Sequence, residues 1–267
     1  MIELHNKRAL VTGSIQGIGL AIARELALSG AEVILHGLPD DEAHAAARAT
    51  IAEVSDKPVQ SFTHNLADKN QVADMMTAVL SGGPLDILIN NAGIQHTAPL
   101  TEMPREKWDA ILAINLSAAF DTMRLALPGM MARGYGRIIN IASVHGLVAS
   151  LNKGPYVAAK FGLIGLTRVA ALEAAMAGSR ESGGVTANCI CPGWTETAII
   201  EPQIQARAAL FGGDRDAGIR DLLREKQPSG RTSTPEEIAR TVLWLCDPAA
   251  HNLTGAAIPV DGGWTAQ

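Results

Sequence analysis

Residues 7–30, KRALVTGSIQGIGLAIARELALSG, decide the fold of this chain. The opening KRALVT is typical of a short buried strand, and the closing LAIARELALSG has the apolar periodicity of a helix. Between them, residues 13–19 form a glycine turn with the spacing G-x-x-x-G-x-G. Glycines let a backbone approach a pyrophosphate closely, and the free N–H groups at a helix start attract its charge. Strand, turn and helix in this order predict a phosphate-binding unit; a tight turn that merely needs small residues is the alternative.

Strands and helices alternate along the rest of the chain. Further strands are predicted at residues 32–36, 59–62, 85–89, 136–141, 186–190 and 256–260. Helices are predicted after Asp40, near Lys69, near Trp108 with an interruption near Pro128, and around Tyr156. This alternation predicts a single α/β domain over residues 1–267, a Rossmann-type doubly wound parallel sheet of about seven strands with helices on both faces.

Residues 195–226 are the part of the chain where the alternation lapses. They are polar at intervals and are broken by Pro202, Gly212, Gly213 and Gly218. Two short helices are the expected structure there. Because closing lids exclude water and complete such sites, we expect residues 195–226 to form a substrate lid within the one domain.

Composition and charge limit the kind of protein this is. Of the 267 residues, 47% are hydrophobic and 18% are charged, which suits a globular chain with a large core. The net charge of −5 argues against nucleic acid or an anionic membrane as a partner. No apolar run approaches the ~20 residues that span a bilayer, and the start MIELHNKRALVTG leads into a strand without a signal-peptide core. The three cysteines show neither metal nor disulfide spacing, so we expect reduced thiols, no metal and a cytoplasmic location.

The stretch from Ser143 to Lys160, SVHGLVASLNKGPYVAAK, carries the candidate chemistry. Tyr156 and Lys160 are four residues apart, so on a helix they stand on the same face. A phenol has a pKa near ~10, and an ammonium one turn away would lower it toward the range useful for proton transfer. The Ser143 hydroxyl, arriving from an earlier strand, could hold a carbonyl oxygen against the tyrosine. The stretch predicts a site that moves a proton on or off an alcohol, while chance occurrence of Tyr-x-x-x-Lys in a helix is the alternative.

Four motifs occur in order on the predicted elements. TGSIQGIG follows the first strand, NNAG ends the fourth, Ser143 ends the fifth and YVAAK lies on the next helix. Asn115 in AINLSAAF and Pro192-Gly193 after the sixth strand complete the set. The ordered set resembles the short-chain dehydrogenase/reductase family over essentially the whole chain.

The resemblance implies a nicotinamide dinucleotide across the carboxyl ends of the strands and four catalytic residues. Tyr156 would be the general acid/base, and Lys160 would lower its pKa and bind the nicotinamide ribose. Ser143 would position the substrate oxygen, and Asn115 would help to hold a water in a proton relay. The alternatives are a turn serine at a strand end and a helix asparagine that merely bonds backbone.

The resemblance also implies which residues contact the dinucleotide. They are Gly13, Ser14, Gln16, Gly17, Ile18, Gly19, Gly37, Leu38, Asn65, Leu66, Asn91, Ala92, Gly93, Tyr156, Lys160, Gly193, Thr195 and Thr197. Thr197 matches a threonine that bonds the nicotinamide amide in the family, with Thr195 as a second candidate.

Both of the family's usual markers of cofactor choice are missing. A cation before the second glycine signals NADP, and Gln16 at that position is neutral. An aspartate ending the second strand signals NAD, and that position is Gly37. With no cation nearby to neutralise a 2′-phosphate, NAD is expected rather than NADP. Asn65 stands where the family often has an aspartate beside the adenine, and its amide can both donate and accept.

Polar residues surround the catalytic pair. They are Gln95 after NNAGI, His145 after Ser143, Lys153 before Tyr156, Gln203 in the lid, and the aromatic Trp264 in the tail VDGGWTAQ. A lysine with amide donors suits a carboxylate. The substrate is therefore expected to be a small anion, with Trp264 as an apolar wall against its chain.

The stretches NNAGIQHTA, INIASVHGLVAS, CPGW, EKQPS and VDGGWTAQ together resemble one group within the family, the bacterial D-3-hydroxybutyrate dehydrogenases. The resemblance implies that the substrate is held by Gln95, Ser143, His145, Lys153, Tyr156, Gln203 and Trp264. Ordinary alternatives exist, such as a solvated loop lysine for Lys153 or tail packing against a neighbouring subunit for Trp264. Glu196 and Ala198 depart from the group, which tends to have a basic residue and a proline at the lid entry.

The sequence thus predicts the NAD-dependent, reversible oxidation of (R)-3-hydroxybutyrate to acetoacetate, in a homotetramer that is expected from the resemblance alone. A related enzyme acting on another small hydroxy acid, a sugar acid or a 3-ketoacyl thioester is the nearest alternative. A non-catalytic dinucleotide-binding regulatory protein is a more distant one, and loss of Tyr156 or Lys160 would be its signature. Four histidines show no clustering in the sequence and are assigned no role: His5, His44, His64 and His251.

Overall fold

A seven-stranded parallel sheet forms the centre of the computed structural model, which describes residues 2–198 and 200–267. The strands are β1 (Arg8–Val11), β2 (Glu32–His36), β3 (Gln60–Phe62), β4 (Ile87–Asn90), β5 (Tyr135–Ile141), β6 (Gly184–Pro192) and β7 (Ala257–Val260). Their order is β3-β2-β1-β4-β5-β6-β7, and each neighbouring pair is parallel. This order confirms the predicted doubly wound sheet. It also places the topological switch point between β1 and β4, where such sheets bind their ligands.

Helices cover both faces of the sheet. They are α1 (Gly17–Leu28), α2 (Asp41–Ala52), α3 (Lys69–Ser81), α4 (Arg105–Leu112), α5 (Ala118–Arg133), α6 (Gly154–Ala174), α7 (Glu201–Ala208), α8 (Arg215–Arg224) and α9 (Pro235–Cys246). α1 packs against α2 and α9, and α5 packs against α3 and α6. The side chains of β1 alternate between two cores, Ala9 and Val11 joining one and Leu10 the other. Burial on both faces explains why the strands are nearly continuous apolar runs.

One helical segment, Arg105–Arg133, contains α4, a π-helical turn at Ala113–Ser117, and α5. The predicted interruption near Pro128 is wrong, because the helix continues through that residue. Pro128 and Arg124 are both exposed, so they lie on the solvent side of the helix, where water can bond to the Arg124 carbonyl group that loses its N–H partner. This segment is long and apolar enough to cross a membrane, judged by length and composition alone. The expectation that no stretch of the sequence meets this criterion therefore does not hold for this segment. Within the domain, however, α5 packs against α3 and against the strands β4 and β5.

Two short helices, α7 and α8, occupy the stretch where the sequence predicted them. Ile204 and Leu222 pack between the two helices, and Arg207 forms an ion pair with Asp221 at 2.8 Å. The stretch begins after β6, so it starts at the same edge of the sheet as the glycine turn that follows β1. The two helices are therefore confirmed and are placed where a lid over that edge would be needed.

Candidate active site

The glycine turn between β1 and α1 lies at the switch point of the sheet. Gly13 and Gly17 have φ angles of 62° and 54°, in the left-handed region that favours glycine. A Cβ on Gly19 would overlap the Gly13 carbonyl oxygen. Gln16 precedes α1 without a side-chain capping bond, and both Gln16 and Gly17 are exposed. The first N–H groups of α1 are therefore open to a ligand, which fits the pyrophosphate of a dinucleotide.

Asn91 and Ala92 fix this turn to the end of β4. Asn91 Nδ2 donates to the carbonyl oxygens of Thr12 at 3.0 Å and Gly13 at 2.9 Å. Thr12 Oγ1 accepts hydrogen bonds from the N–H groups of Asn91 and Ala92. A Cβ on Gly13 would lie 2.9 Å from Ala92 Cα. Asn91 thus supports the dinucleotide site by shaping the turn, since its side-chain amide is used within the protein.

Ser14 lies behind the turn and is fully buried. Its N–H donates to the His36 carbonyl oxygen at 2.8 Å, and its hydroxyl accepts from His36 N at 2.9 Å. The N–H and the hydroxyl of Ser14 are both used by His36, and a direct contact between Ser14 and the dinucleotide stays a prediction. Beyond His36, a Cβ on Gly37 would overlap the Ile15 side chain, and Leu38 is exposed.

Asn65 and Leu66 follow β3 at the same edge of the sheet. Asn65 Oδ1 accepts from Ala67 N at 2.9 Å in a local turn. Leu66 is buried and joins the hydrophobic core. The side-chain NH2 group of Asn65 is therefore the part that could contact an adenine, and this contact stays a prediction.

Thr195 and Thr197 reach the site from the start of the lid. The Thr197 methyl carbon lies 3.6 Å from the position that a Cβ on Gly17 would take, so Thr197 faces the glycine turn. Thr195 is buried, and its hydroxyl has no hydrogen-bond partner within residues 2–198 and 200–267. Gly193 precedes them in a position without room for a side chain, because a Cβ would lie 2.7 Å from Gln227 Oε1. The lid entry therefore joins the predicted dinucleotide site.

Ser143, Tyr156 and Lys160 come together where β5 ends and α6 begins. Burial raises the pKa of Tyr156, and its hydrogen bond with Ser143 opposes that rise only in part. Burial also lowers the pKa of Lys160 to about 8. Lys160 Nζ donates to the Ile141 carbonyl oxygen at 2.8 Å and lies 5.6 Å from the centre of the Tyr156 ring. The Lys160 ammonium is held by the Ile141 carbonyl group in this arrangement, and the lowering of the tyrosine pKa by Lys160 stays a prediction.

Asn115 lies in the π-helical turn and is 2% exposed. Its Oδ1 accepts from Ile94 N and its Nδ2 donates to Ile94 O, both at 2.9 Å. The side chain therefore bonds backbone in both directions, as the alternative interpretation expected. Because π turns are rare and are frequent at functional sites, the turn favours a functional role for this position, which stays a prediction.

Lys153 and His145 form a buried pair beside Tyr156. Lys153 Nζ lies 3.3 Å from His145 Nε2, and the His145 and Tyr156 rings meet edge-on with their centres 6.1 Å apart. Burial, aided by the nearby lysine charges, lowers the pKa of His145 to about 3. Burial lowers the pKa of Lys153 to about 8, with a smaller contribution from Lys226. At neutral pH the pair is therefore a protonated lysine that donates to a neutral imidazole.

Two residues to which the sequence assigned no role, Trp194 and Lys226, complete this cluster. The Trp194 and Trp264 ring centres are 5.8 Å apart, and the Trp264 ring meets His145 edge-on at 5.4 Å. Lys226 Nζ lies 5.4 Å from the centre of a Trp264 ring and donates to Ser150 Oγ at 2.9 Å. Trp194 lies in the stretch CPGW and Lys226 in the stretch EKQPS. Only their contacts with the tail residue Trp264 and the loop residue Ser150 bring them into one site.

The two predicted substrate glutamines differ in how the structure holds them. Gln203 lies on α7, and its Oε1 is buried without a hydrogen-bond partner in the described part of the chain. A buried polar atom left unpaired is costly, so this oxygen is suited to a polar ligand. Gln95 is half-buried in the loop after β4, next to Ile94. No contact described above joins Gln95 to the cluster, so its part in the site stays a prediction.

Comparison with known proteins gives the family. A family model described as enoyl-(acyl carrier protein) reductase matches residues 13–265. Two curated relatives are D-beta-hydroxybutyrate dehydrogenases. That of Cupriavidus necator is 48% identical over 267 residues, covering 99% of this chain and 100% of its own. That of Rhizobium meliloti is 43% identical over 262 residues, covering 98% and 99%.

Among solved structures, L-sorbose reductase from Gluconobacter frateurii, complexed with NADPH and L-sorbose, matches with a TM-score of 0.91. It is 31% identical to this chain, and the match covers 100% of this chain and 99% of that one. The fold and the site together define an oxidoreductase that uses a nicotinamide dinucleotide on a small-molecule substrate. The chain belongs to the short-chain dehydrogenase/reductase family.

Proposed function

We propose that this enzyme catalyses the reversible oxidation of (R)-3-hydroxybutyrate to acetoacetate with NAD. The observation that carries the proposal is the Lys153–His145 pair, a buried cation beside the Tyr156 ring. A protonated lysine in a largely apolar pocket gains most from a ligand that brings a negative charge. The two D-beta-hydroxybutyrate dehydrogenases that are similar over the full chain support a short hydroxy acid as that ligand.

Tyr156 is the group that takes the substrate hydroxyl proton in the oxidation. Its phenolate oxygen accepts this proton as the C3–H bond breaks, while Ser143 donates a hydrogen bond to the reacting oxygen. A nicotinamide dinucleotide, when bound at the glycine turn, would supply the hydride acceptor. Because burial raises the tyrosine pKa, the phenolate needs added positive charge, and Lys160 supplies it when its ammonium turns from Ile141 toward the phenol. The proton then returns to solvent through water held at the π-helical turn that contains Asn115.

Lys153 and the lid bind the rest of the substrate. Lys153 donates to the carboxylate, and His145 keeps the ammonium in place as a neutral acceptor. Gln203 adds an amide from the lid, and Gln95 adds one from the loop after β4. The tryptophan pair, Trp194 and Trp264, forms the apolar wall against the short carbon chain.

NAD is the dinucleotide that the charges of the site favour. Gln16 at the glycine turn is neutral, and Gly37 at the end of β2 has no side chain. Neither offers a cation to a 2′-phosphate, whereas the L-sorbose reductase structure is a complex with NADPH. The choice between the two dinucleotides is therefore tested directly in the experiment below.

A homotetramer in the cytoplasm is the proposed form of the enzyme. Phe120 on α5 and Phe161, Val169 and Leu172 on α6 are exposed, although all four are large and apolar. An apolar groove runs between these helices and is lined by Leu116, Ser117, Phe120, Gly162, Gly165 and Leu166. Pairing of this face with a second copy would remove the exposed apolar surface from water.

Steady-state kinetics with (R)-3-hydroxybutyrate, its methyl ester and the (S) enantiomer, each with NAD and NADP, test the proposal. We expect the highest kcat/KM for the (R) acid with NAD. The ester should be poorer chiefly in KM, because it lacks the charge that Lys153 binds. Equal kcat/KM for acid and ester would contradict the carboxylate site, and a higher kcat/KM with NADP would contradict the choice of NAD.

A further inference from the structure

His36 is a buried histidine at the last position of β2, and it has no part in the catalysis or substrate binding proposed above. Its Nδ1 is 3.2 Å from the Gly13 N–H, and its Nε2 is 2.8 Å from the His64 carbonyl oxygen. A backbone N–H only donates and a carbonyl oxygen only accepts. The ring must therefore be neutral, with its hydrogen on Nε2 and its Nδ1 free to accept from Gly13.

The backbone of His36 holds the next residue of the glycine turn. His36 N donates to Ser14 Oγ at 2.9 Å, and His36 O accepts from Ser14 N at 2.8 Å. One residue of β2 thus binds the N–H groups of both Gly13 and Ser14. Since these two amides point back at β2, the amides left for a phosphate are those further along the turn, at the start of α1.

Two more histidines lie near His36. His64 comes from the segment after β3, and His44 comes from α2, where its Nε2 lies 3.1 Å from the Leu38 carbonyl oxygen. Neither is a carboxylate that would favour an imidazolium at His36. Burial is the largest cause of the lowered pKa of His36; the hydrogen bond to the His64 carbonyl group opposes it, and electrostatic effects of His64 and His44 add to it. The surroundings therefore favour the neutral ring that the hydrogen bonds to Gly13 and His64 require.

We propose that His36 is a positioning residue for dinucleotide binding, acting as the neutral acceptor that fixes the Gly13 N–H and thereby the shape of the pyrophosphate-binding turn. Without an acceptor at this place, the Gly13 N–H would be left unpaired beneath the turn. The turn would then rotate to satisfy that group, at the expense of the amides that face the ligand. The effect belongs to the pyrophosphate subsite, since His36 is itself buried and does not reach the surface where an adenosine lies.

A matched pair of substitutions tests this assignment. His36→Asn keeps an acceptor near the position of Nδ1, whereas His36→Leu has a similar size and no acceptor. The dissociation constant of NADH for the enzyme without substrate is measured by NADH fluorescence, and ADP and adenosine are then titrated as competitors. We expect His36→Leu to weaken NADH and ADP by about two- to tenfold, the range of one hydrogen bond. The dissociation constant of adenosine for His36→Leu should stay within twofold of its value for the original enzyme. His36→Asn should bind ADP about as tightly as the original enzyme does.

Thermal unfolding of the same variants separates positioning from stability. His44→Gln serves as a control, because it removes a buried histidine of the same cluster that makes no bond to Gly13. Loss of ADP affinity in His36→Leu that exceeds any loss in His44→Gln, at comparable unfolding temperatures, supports the proposal. Unchanged ADP binding in His36→Leu would overturn it, and so would an equal weakening of ADP and adenosine, because His36 would then act on the fold as a whole.

Discussion

Replacement of Lys153 by methionine removes the charge proposed to bind the substrate carboxylate while keeping much of the side-chain volume. A hydrogen bond to a charged group contributes about 1.5–3 kcal/mol, so the affinity for a carboxylate ligand should fall by about 10- to 150-fold. Butyrate is a suitable probe because it lacks the reacting hydroxyl. Its affinity for the enzyme–NADH complex is measured by titration calorimetry, with butyramide as the neutral control that should change little.

The pH dependence of butyrate binding follows from the same lysine. Burial lowers the Lys153 pKa to about 8, so the ammonium is lost as the pH rises through that value. About nine-tenths of the lysine is protonated at pH 7 and about one-tenth at pH 9, which predicts roughly tenfold weaker butyrate binding at pH 9. His145, with a pKa of about 3, and Tyr156, with a raised pKa, keep their charge states across this range. Lys160, whose pKa burial also lowers to about 8, titrates in the same range, so the pH dependence assigned to Lys153 is the part that Lys153→Met removes. Butyrate affinity that is the same at pH 7 and pH 9, or that survives Lys153→Met, would refute the role of Lys153.

Three further predictions concern the charge, the chemistry and the assembly. Lys226→Met should raise the pKa of Lys153 and move the loss of butyrate affinity to higher pH, because Lys226 lowers that pKa through its charge; an unmoved titration would contradict this coupling. Tyr156→Phe should lower kcat by about 10²- to 10⁴-fold, as measured by turnover with the dinucleotide at saturation; retained turnover would assign the proton transfer elsewhere. Phe120→Glu should place a charge in the exposed apolar face of α5 and reduce the mass found by light scattering; an unchanged tetramer would exclude this face as the interface.

The sheet could be predicted from the sequence because its signals are local. Apolar runs bounded by glycine turns lie where the strands are, and the second strand was predicted at the same residues, 32–36, that β2 occupies. The predicted break at Pro128 is wrong because a helix can continue through a proline on its solvent side. There, water can bond to the carbonyl group that loses its N–H partner. The π-helical turn around Asn115 has no local signal of that kind, and its side chain is explained only by Ile94, which lies 21 residues earlier in the chain.

The contacts around the glycine turn show why the grouping of three histidines could not be predicted from the sequence. His36, His44 and His64 are spread over β2, α2 and the segment after β3, so no sequence spacing groups them. The parallel pairing of β2 with β3 brings the ends of these elements together, and the chain crosses between them through α2. A cluster made by strand pairing is therefore visible only once the order of the strands is known.

The residues of the candidate site are divided between regular helices and strand ends on one side and the predicted lid and the tail on the other, and this division decides what the sequence can show. Tyr156 and Lys160 lie on α6, and Ser143 follows the end of β5, so helical spacing and a strand end fix their relation and their motif could be recognised in the sequence. Trp194 and Lys226 stand at the two ends of the predicted lid, 32 residues apart, and both lie close to the tail residue Trp264. Their place in the site depends on how the lid and tail close over the sheet edge. The catalytic residues that a family shares can therefore be recognised from short spacings in helices and at strand ends. The residues that select one substrate depend on contacts among segments distant in sequence.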